Sequence, residues 1–128
     1  MDRESSVRHK SMVFSKRIIN AYKHLTEDNR EVVISKQLLL AGTSIGINIT
    51  QAEAGTSKRD FLSKIYHALR SCAETQYWLD LLLDDYFSRS EYDSISKDCT
   101  ELIRMLTAII KTTSHSLLDS TLSPDTVS

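Results

Sequence analysis

With 128 residues, 41% of them apolar and 26% charged, the chain is long enough to bury most of the surface it would expose unfolded and reads as one globular domain. One proline and three glycines argue against an all-β chain, which needs turn residues every few positions, and no apolar run approaches the roughly 20 residues of a membrane span. A net charge of −1 argues against a dedicated high-affinity nucleic-acid binder, a class that is usually strongly basic.

The opening MDRESSVRHK is polar and lacks the apolar segment of a secretory signal, so a cytoplasmic protein is expected, with no membrane partner. Residues 1–6 are expected to be flexible. The first predicted helix then places Val7, Ser11, Phe14, Ile18, Ala21 and Leu25 on one side, in alternating steps of four and three. Ser5 or Ser6 is suited to cap its start. Thr26–Arg30 reads as a polar turn, and Asp28 followed by Glu31 resembles a capping box for the next helix.

The second helix carries Ile34, Leu38, Ala41, Ile45, Asn48, Ile49 and Ala52 on one face, with Leu39, Leu40 and Ile47 off that stripe. Gly42 and Gly46 stand one turn apart inside it. Each costs about 1 kcal/mol relative to alanine, so a close approach to a neighbouring helix is expected in return. Gly55 is the residue suited to a left-handed helix end, and Ser57-Lys58-Arg59-Asp60 supplies the next cap.

The third helix is expected to reach Tyr86, with Phe61, Ile65, Leu69, Cys72, Gln76, Leu79, Leu83 and Tyr86 as its stripe. Tyr66, Tyr77, Trp78, Leu81 and Leu82 widen the apolar surface. Ser88 and Glu91 form a capping box for the fourth helix, where Tyr92, Ile95, Cys99, Leu102, Leu106, Ile109 and Thr113 repeat the core period. Residues 116–128, Ser/Thr-rich and carrying Pro124, read as a disordered tail. Cys72 and Cys99 share no metal-ligand or redox spacing and are expected as reduced core thiols.

Short turns between four helices predict an all-α, antiparallel up-down-up-down bundle over residues 7–115. Helices two and three carry more apolar surface than a monomeric bundle needs, and a chain this short has no central helix to hide it. A subunit interface using Leu39, Leu40, Ile47, Tyr77 and Trp78 is expected, and hence a homo-oligomer.

Ser44, Asn48, Glu53 and Glu74 lie among apolar neighbours and are expected to be buried. Burying such groups unpaired costs a few kcal/mol each, so they should bond one another or nearby backbone. Such a network would fix helix register or subunit packing, the reading preferred over a ligand pocket because catalysis needs a convergent acid, base and nucleophile. No Gly-rich phosphate loop, HExxH or GxSxG occurs. Asp80, Asp84 and Asp85 lack the Glu-x-x-His partner of a di-metal bundle. Arg17 with His24, and Arg3 with His9, match the loose Arg-x(4–6)-His spacing of helical-bundle ribonucleases of the HEPN type, a spacing that chance supplies among 16 basic residues and four histidines. The expectation is a protein that is not an enzyme and takes no cofactor or metal.

Charge is uneven along the chain. Residues 1–30 carry seven Lys/Arg against four Asp/Glu, and residues 61–128 carry six against ten. Either solvated helix faces differ by chance, or a basic first helix meets an acidic surface or a polyanion.

Gly42-Thr-Ser-Ile-Gly-Ile-Asn48, Glu53-Ala54, Ser57-Lys58-Arg59-Asp60-Phe61, Ala68-Leu69 and Glu74-Thr75-Gln76-Tyr77-Trp78-Leu79 together resemble the bacterial four-helix bundle family, also named for proteins encoded by intervening sequences in 23S ribosomal RNA genes. The likeness spans about residues 8–115. It implies an antiparallel bundle assembling as a ring, with a homopentamer preferred. A distant likeness to the accessory variability protein of diversity-generating retroelements implies association with a reverse transcriptase and with nucleic acid. Two functions are therefore expected: a non-catalytic oligomeric scaffold for a macromolecular partner, or an RNA-binding accessory module whose first helix offers Arg3, Arg8, Lys10, Lys16, Arg17 and Lys23 to phosphates.

Overall fold

Helices α1 (Arg3–Lys23), α2 (Ile34–Glu53), α3 (Lys58–Leu82) and α4 (Arg89–Leu122) make up the computed structural model, which describes the backbone of residues 3–122 and the side chains of residues 6–119. Each helix packs against the next in sequence and α1 also meets α4, the antiparallel up-down-up-down bundle that short connections dictate. The apolar stripes converge: Phe14, Ile18, Leu38, Ile45, Ile49, Ile65, Leu79, Leu102, Leu106 and Ile109 are all but inaccessible. On α3 the buried line runs through Ala68, Thr75 and Leu82 as well. Gln76 is consequently turned towards α4, where its amide nitrogen donates to Asp80 Oδ1 at 2.9 Å and accepts company from Tyr92 Oη at 3.1 Å.

The two glycines of α2 bring α1 close. A Cβ on Gly42 would stand 2.7 Å from Ile18 Cγ1, and one on Gly46 would stand 3.4 Å from Ser11 Oγ. Cys72 and Cys99 are free and buried at the α3–α4 seam, with Cys99 Sγ 3.5 Å from the Cys72 carbonyl oxygen. The hydrogen bond with Cys99, and burial, push the Cys72 thiol far up, so it stays protonated.

Several element ends differ from the sequence expectation. α1 is already helical at Arg3, so Ser5 and Ser6 lie inside it instead of capping it, and of the segment 1–6 only Met1 and Asp2 fall outside the described residues. Its far end widens into a π-helical turn, His24–Asp28. The chain then reverses through Arg30 at φ 57°, and the Glu31 amide donates to the Leu25 carbonyl at 2.8 Å. Glu31, not Asp28, caps α2. Its carboxylate accepts from the amides of Val33 (3.2 Å), Ile34 (3.0 Å) and Ser35 (2.6 Å), three of the orphan donors at a helix start. Partial burial pulls this carboxyl up, but those donors win and hold it below its ordinary value of 4.5. Asp28 instead faces His24 Nδ1 at 2.9 Å.

Gly55 is not left-handed. α2 ends through Ala54 at φ −87°, ψ −3°, and a Cβ on Gly55 would crowd the Ala52 carbonyl oxygen at 3.1 Å. The caps of the later helices form as expected: Ser57 Oγ accepts from the Asp60 amide at 3.0 Å, and Ser88 and Glu91 exchange bonds of 3.0 and 3.1 Å. α3 stops at Leu82, one turn before Tyr86. Leu83 is extended, Asp84 takes φ 75°, and the Tyr86 and Phe87 amides both return to the Leu82 carbonyl at 3.0 Å. The reversal tucks Phe87, 5% exposed, into the end of the bundle. α4 continues past position 115 to Leu122, so the first part of the expected tail is helix, braced by Lys58 Nζ on Ser116 Oγ at 2.7 Å. Residues 123–128 lie outside the described residues.

Candidate interaction surface

The four polar signature residues divide into two kinds. Ser44 and Asn48 are half-buried at the α2–α3 seam. Ser44 Oγ shares a 2.6 Å hydrogen bond with Ser71 Oγ and lies 3.0 Å from the Ala41 carbonyl oxygen, while Asn48 Nδ2 donates to the Ser44 carbonyl at 2.9 Å. Glu53 and Glu74 are exposed, which corrects the expectation of burial. Glu53 accepts from Arg8 Nη1 across the α1–α2 seam at 3.2 Å, and Glu74 accepts from Trp78 Nε1 one turn on at 3.1 Å. The polar side chains that are buried are Ser11, Ser35 and Thr75. Each returns its hydroxyl to a carbonyl of its own segment, at 2.8, 2.7 and 2.7 Å.

The expected interface residues also divide. Leu39 and Trp78 pack against the core, with Tyr77 edge-on to Trp78 at 5.1 Å. Leu40, Ile47 and Tyr77 stand free, each more than half exposed, and Tyr66 and Leu81 extend the exposed surface along α3. Met12 and Ile19 extend it onto α1. Sequence reasoning missed these last two because the core stripe of α1 was complete without them; the readable signal was two large apolar residues on the opposite side of that stripe. Between α1 and α2 runs a groove of about 360 Å³, with Met12 and Ile47 beside the small Ser11, Ser15 and Gly46 and with Arg8 at one end.

The basic residues of α1 do not gather into one free patch. Arg8 pairs with Glu53, and Lys10 Nζ lies 3.9 Å from Glu101. Arg17 donates to Asp98 Oδ2 at 2.6 Å and to the Ser94 carbonyl and hydroxyl at 3.2 and 2.9 Å. These three staple α1 to α2 and α4. Lys16 and Lys23 are exposed and, among the described residues, have no ion-pair or hydrogen-bond partner; the Arg3 side chain lies outside the described residues. Arg17 and His24 line one cleft of about 440 Å³ with Asn20, Ser90 and Ser94. The guanidinium there is held by α4, and the imidazole sits between Asp28 and the Asn29 amide, 3.3 Å from Nε2. Among the described residues no group of three His, Cys, Asp or Glu is placed to hold a metal, and no helix is long and apolar enough to cross a membrane.

Comparison with known proteins gives two matches. The sequence profile described as 23S rRNA-intervening sequence protein matches residues 3–108. A protein of unknown function from the S23 ribosomal protein family of Bacteroides thetaiotaomicron, solved by crystallography at 1.70 Å, is similar over 86% of this chain and 99% of its own, with 45% identity and a TM-score of 0.84. No curated protein matches.

Proposed function

Because this chain belongs to the 23S rRNA-intervening sequence protein family and leaves a long apolar face uncovered, we propose that it is a non-catalytic scaffold that works as a homo-oligomer, a pentamer by preference, and presents that assembly to a protein partner. The observation that carries the reading is the exposure of Leu40, Ile47, Tyr66, Tyr77 and Leu81 on α2 and α3, at 46–57% of their surface. Scattered apolar residues are ordinary on any surface; a row of large ones along two adjoining helices marks an interaction site. Aromatic anchors are the side chains that interfaces favour.

Against an RNA-binding role for α1 stands the intramolecular use of Arg8, Lys10 and Arg17. Binding to phosphates would have to break these pairs or rely on Lys16 and Lys23 alone. Two contacts give only a shallow salt dependence and weak affinity. Static light scattering is the test. A mass of several chains at micromolar concentration is expected, and a monomer there defeats the reading.

A further inference from the structure

Resting on the assembly just proposed, we infer that neighbouring copies meet through two different surfaces, with the α3 ridge of one copy, Tyr66, Tyr77 and Leu81, seated in the α1–α2 groove of the next.

Shape is the first argument. The groove has small residues between its apolar walls: Ser15 and Gly46 lie below Met12 and Ile47. A hole of this kind receives a knob, and the protruding phenol rings of α3, 46% and 57% exposed, are the largest knobs on the molecule. The two features also face apart. Consecutive helices are neighbours around the bundle, which sets α3 diagonally across from α1. The ridge cannot fold back onto its own groove, and one two-fold axis cannot engage both surfaces of both chains at once. Contacts between unlike patches build rings when the rotation closes.

Charge is the second argument. On the exposed face of α1, Lys16 follows Met12 by one turn and Lys23 follows Ile19 by one turn, so the outer wall of the groove carries two cations that the described residues leave unpaired. The ridge is acidic: Glu74 lies beside Tyr77, and Asp84 and Asp85, both exposed, follow the end of α3. Opposite potentials on the two surfaces favour groove against ridge, and like potentials disfavour groove against groove and ridge against ridge. The basic first helix and the acidic second half of the sequence thus become the two sides of one contact.

Two variants test this, Ile47→Asp in the groove and Tyr77→Asp on the ridge, each replacing an exposed side chain and each checked for helicity by circular dichroism. Either variant alone keeps one sound surface with nothing to receive it, so each is expected to be monomeric by light scattering. Mixed in equal amounts they are expected to form a heterodimer and nothing larger, since the sound groove of one takes the sound ridge of the other. A monomeric wild type overturns the assembly reading and this inference with it. An oligomeric wild type whose variants keep their full mass, form dimers on their own, or stay monomeric when mixed overturns the ridge-and-groove contact alone. Should either variant lose its helicity, Met12→Asp and Leu81→Asp put the same charge at the same two surfaces.

Discussion

Gly42 and Gly46 look alike in sequence, one turn apart in the same helix, and the structure separates them. A methyl group at position 42 would stand 2.7 and 2.9 Å from the two γ-carbons of Ile18, a fully buried, β-branched side chain with little rotamer freedom to yield. Overpacking of this kind costs about 1–3 kcal/mol, more than the roughly 1 kcal/mol that alanine returns in helix propensity. Gly42→Ala is therefore expected to destabilise the fold by about 1 kcal/mol. At position 46 the nearest atom is 3.4 Å away, an ordinary contact, so Gly46→Ala is expected to stabilise by about 0.5–1 kcal/mol. Urea unfolding of both variants reads the signs directly; two shifts of the same sign would refute the close-approach account. The need for small residues here was legible in the sequence, but the difference between the two positions was not, because it depends on what stands opposite. Glu53 and Glu74 were misread for a related reason. Successive helical residues turn by about 100°, so an acid beside apolar letters in sequence can face away from them. The partner of Glu53 is Arg8, 45 positions distant, and no local pattern announces it. As an exposed pair it contributes at most about 1 kcal/mol.

At the scale of elements, the caps record how far local chemistry reaches. Ser57 and Ser88 were legible because a hydroxyl three positions before an acid is a self-contained device. The cap of α2 was assigned to the wrong residue, since a glutamate that gathers three amides by itself resembles no standard motif. It carries a pH consequence. The folded-state pKa of Glu31 lies below its ordinary 4.5, so its stabilisation is present in full above that value and is lost as pH falls through the lower, folded-state value. Glu91, held down by the amide and hydroxyl of Ser88, acts in the same sense. Glu31→Gln keeps the shape and removes the charge; a loss of about 0.5–1 kcal/mol at neutral pH is expected, with a flatter decline in acid than the parent shows. Urea midpoints measured from pH 7 downward check both. The end of α3 was illegible for another reason: Leu83 and Tyr86 continue the helical period, and only the burial of Phe87 at the end of the bundle forces the chain to turn at Asp84. The Ser/Thr-rich end of α4 concealed a helix because composition carries no record of the neighbour, here Lys58, that holds it.

For the molecule as a whole, the bundle was readable because every helix carries a complete apolar stripe, and the uncovered face was readable only in part. Leu40, Ile47 and Tyr77 stood out by lying off those stripes. Leu39 and Trp78 lie off them too, yet the broad α2–α3 seam absorbs both. Assembly through the uncovered face ties folding to concentration, since anything that binds only the folded state stabilises it by mass action. The thermal midpoint is expected to rise as protein concentration is raised and to stay constant for Ile47→Asp; differential scanning calorimetry at several concentrations distinguishes the two, and a constant midpoint for the parent would count against assembly. Gly42 has a consequence here as well. It sets the spacing of α1 and α2, and the outer groove opens one turn further along the same pair of helices. A bulkier residue at that position would splay the groove together with the core, so compatibility between copies and soundness of the fold are governed from a single backbone position. Two lineages that re-spaced this seam differently would each keep a sound bundle and lose the ability to exchange subunits, a barrier to mixing that arises in the interior, where no partner ever touches.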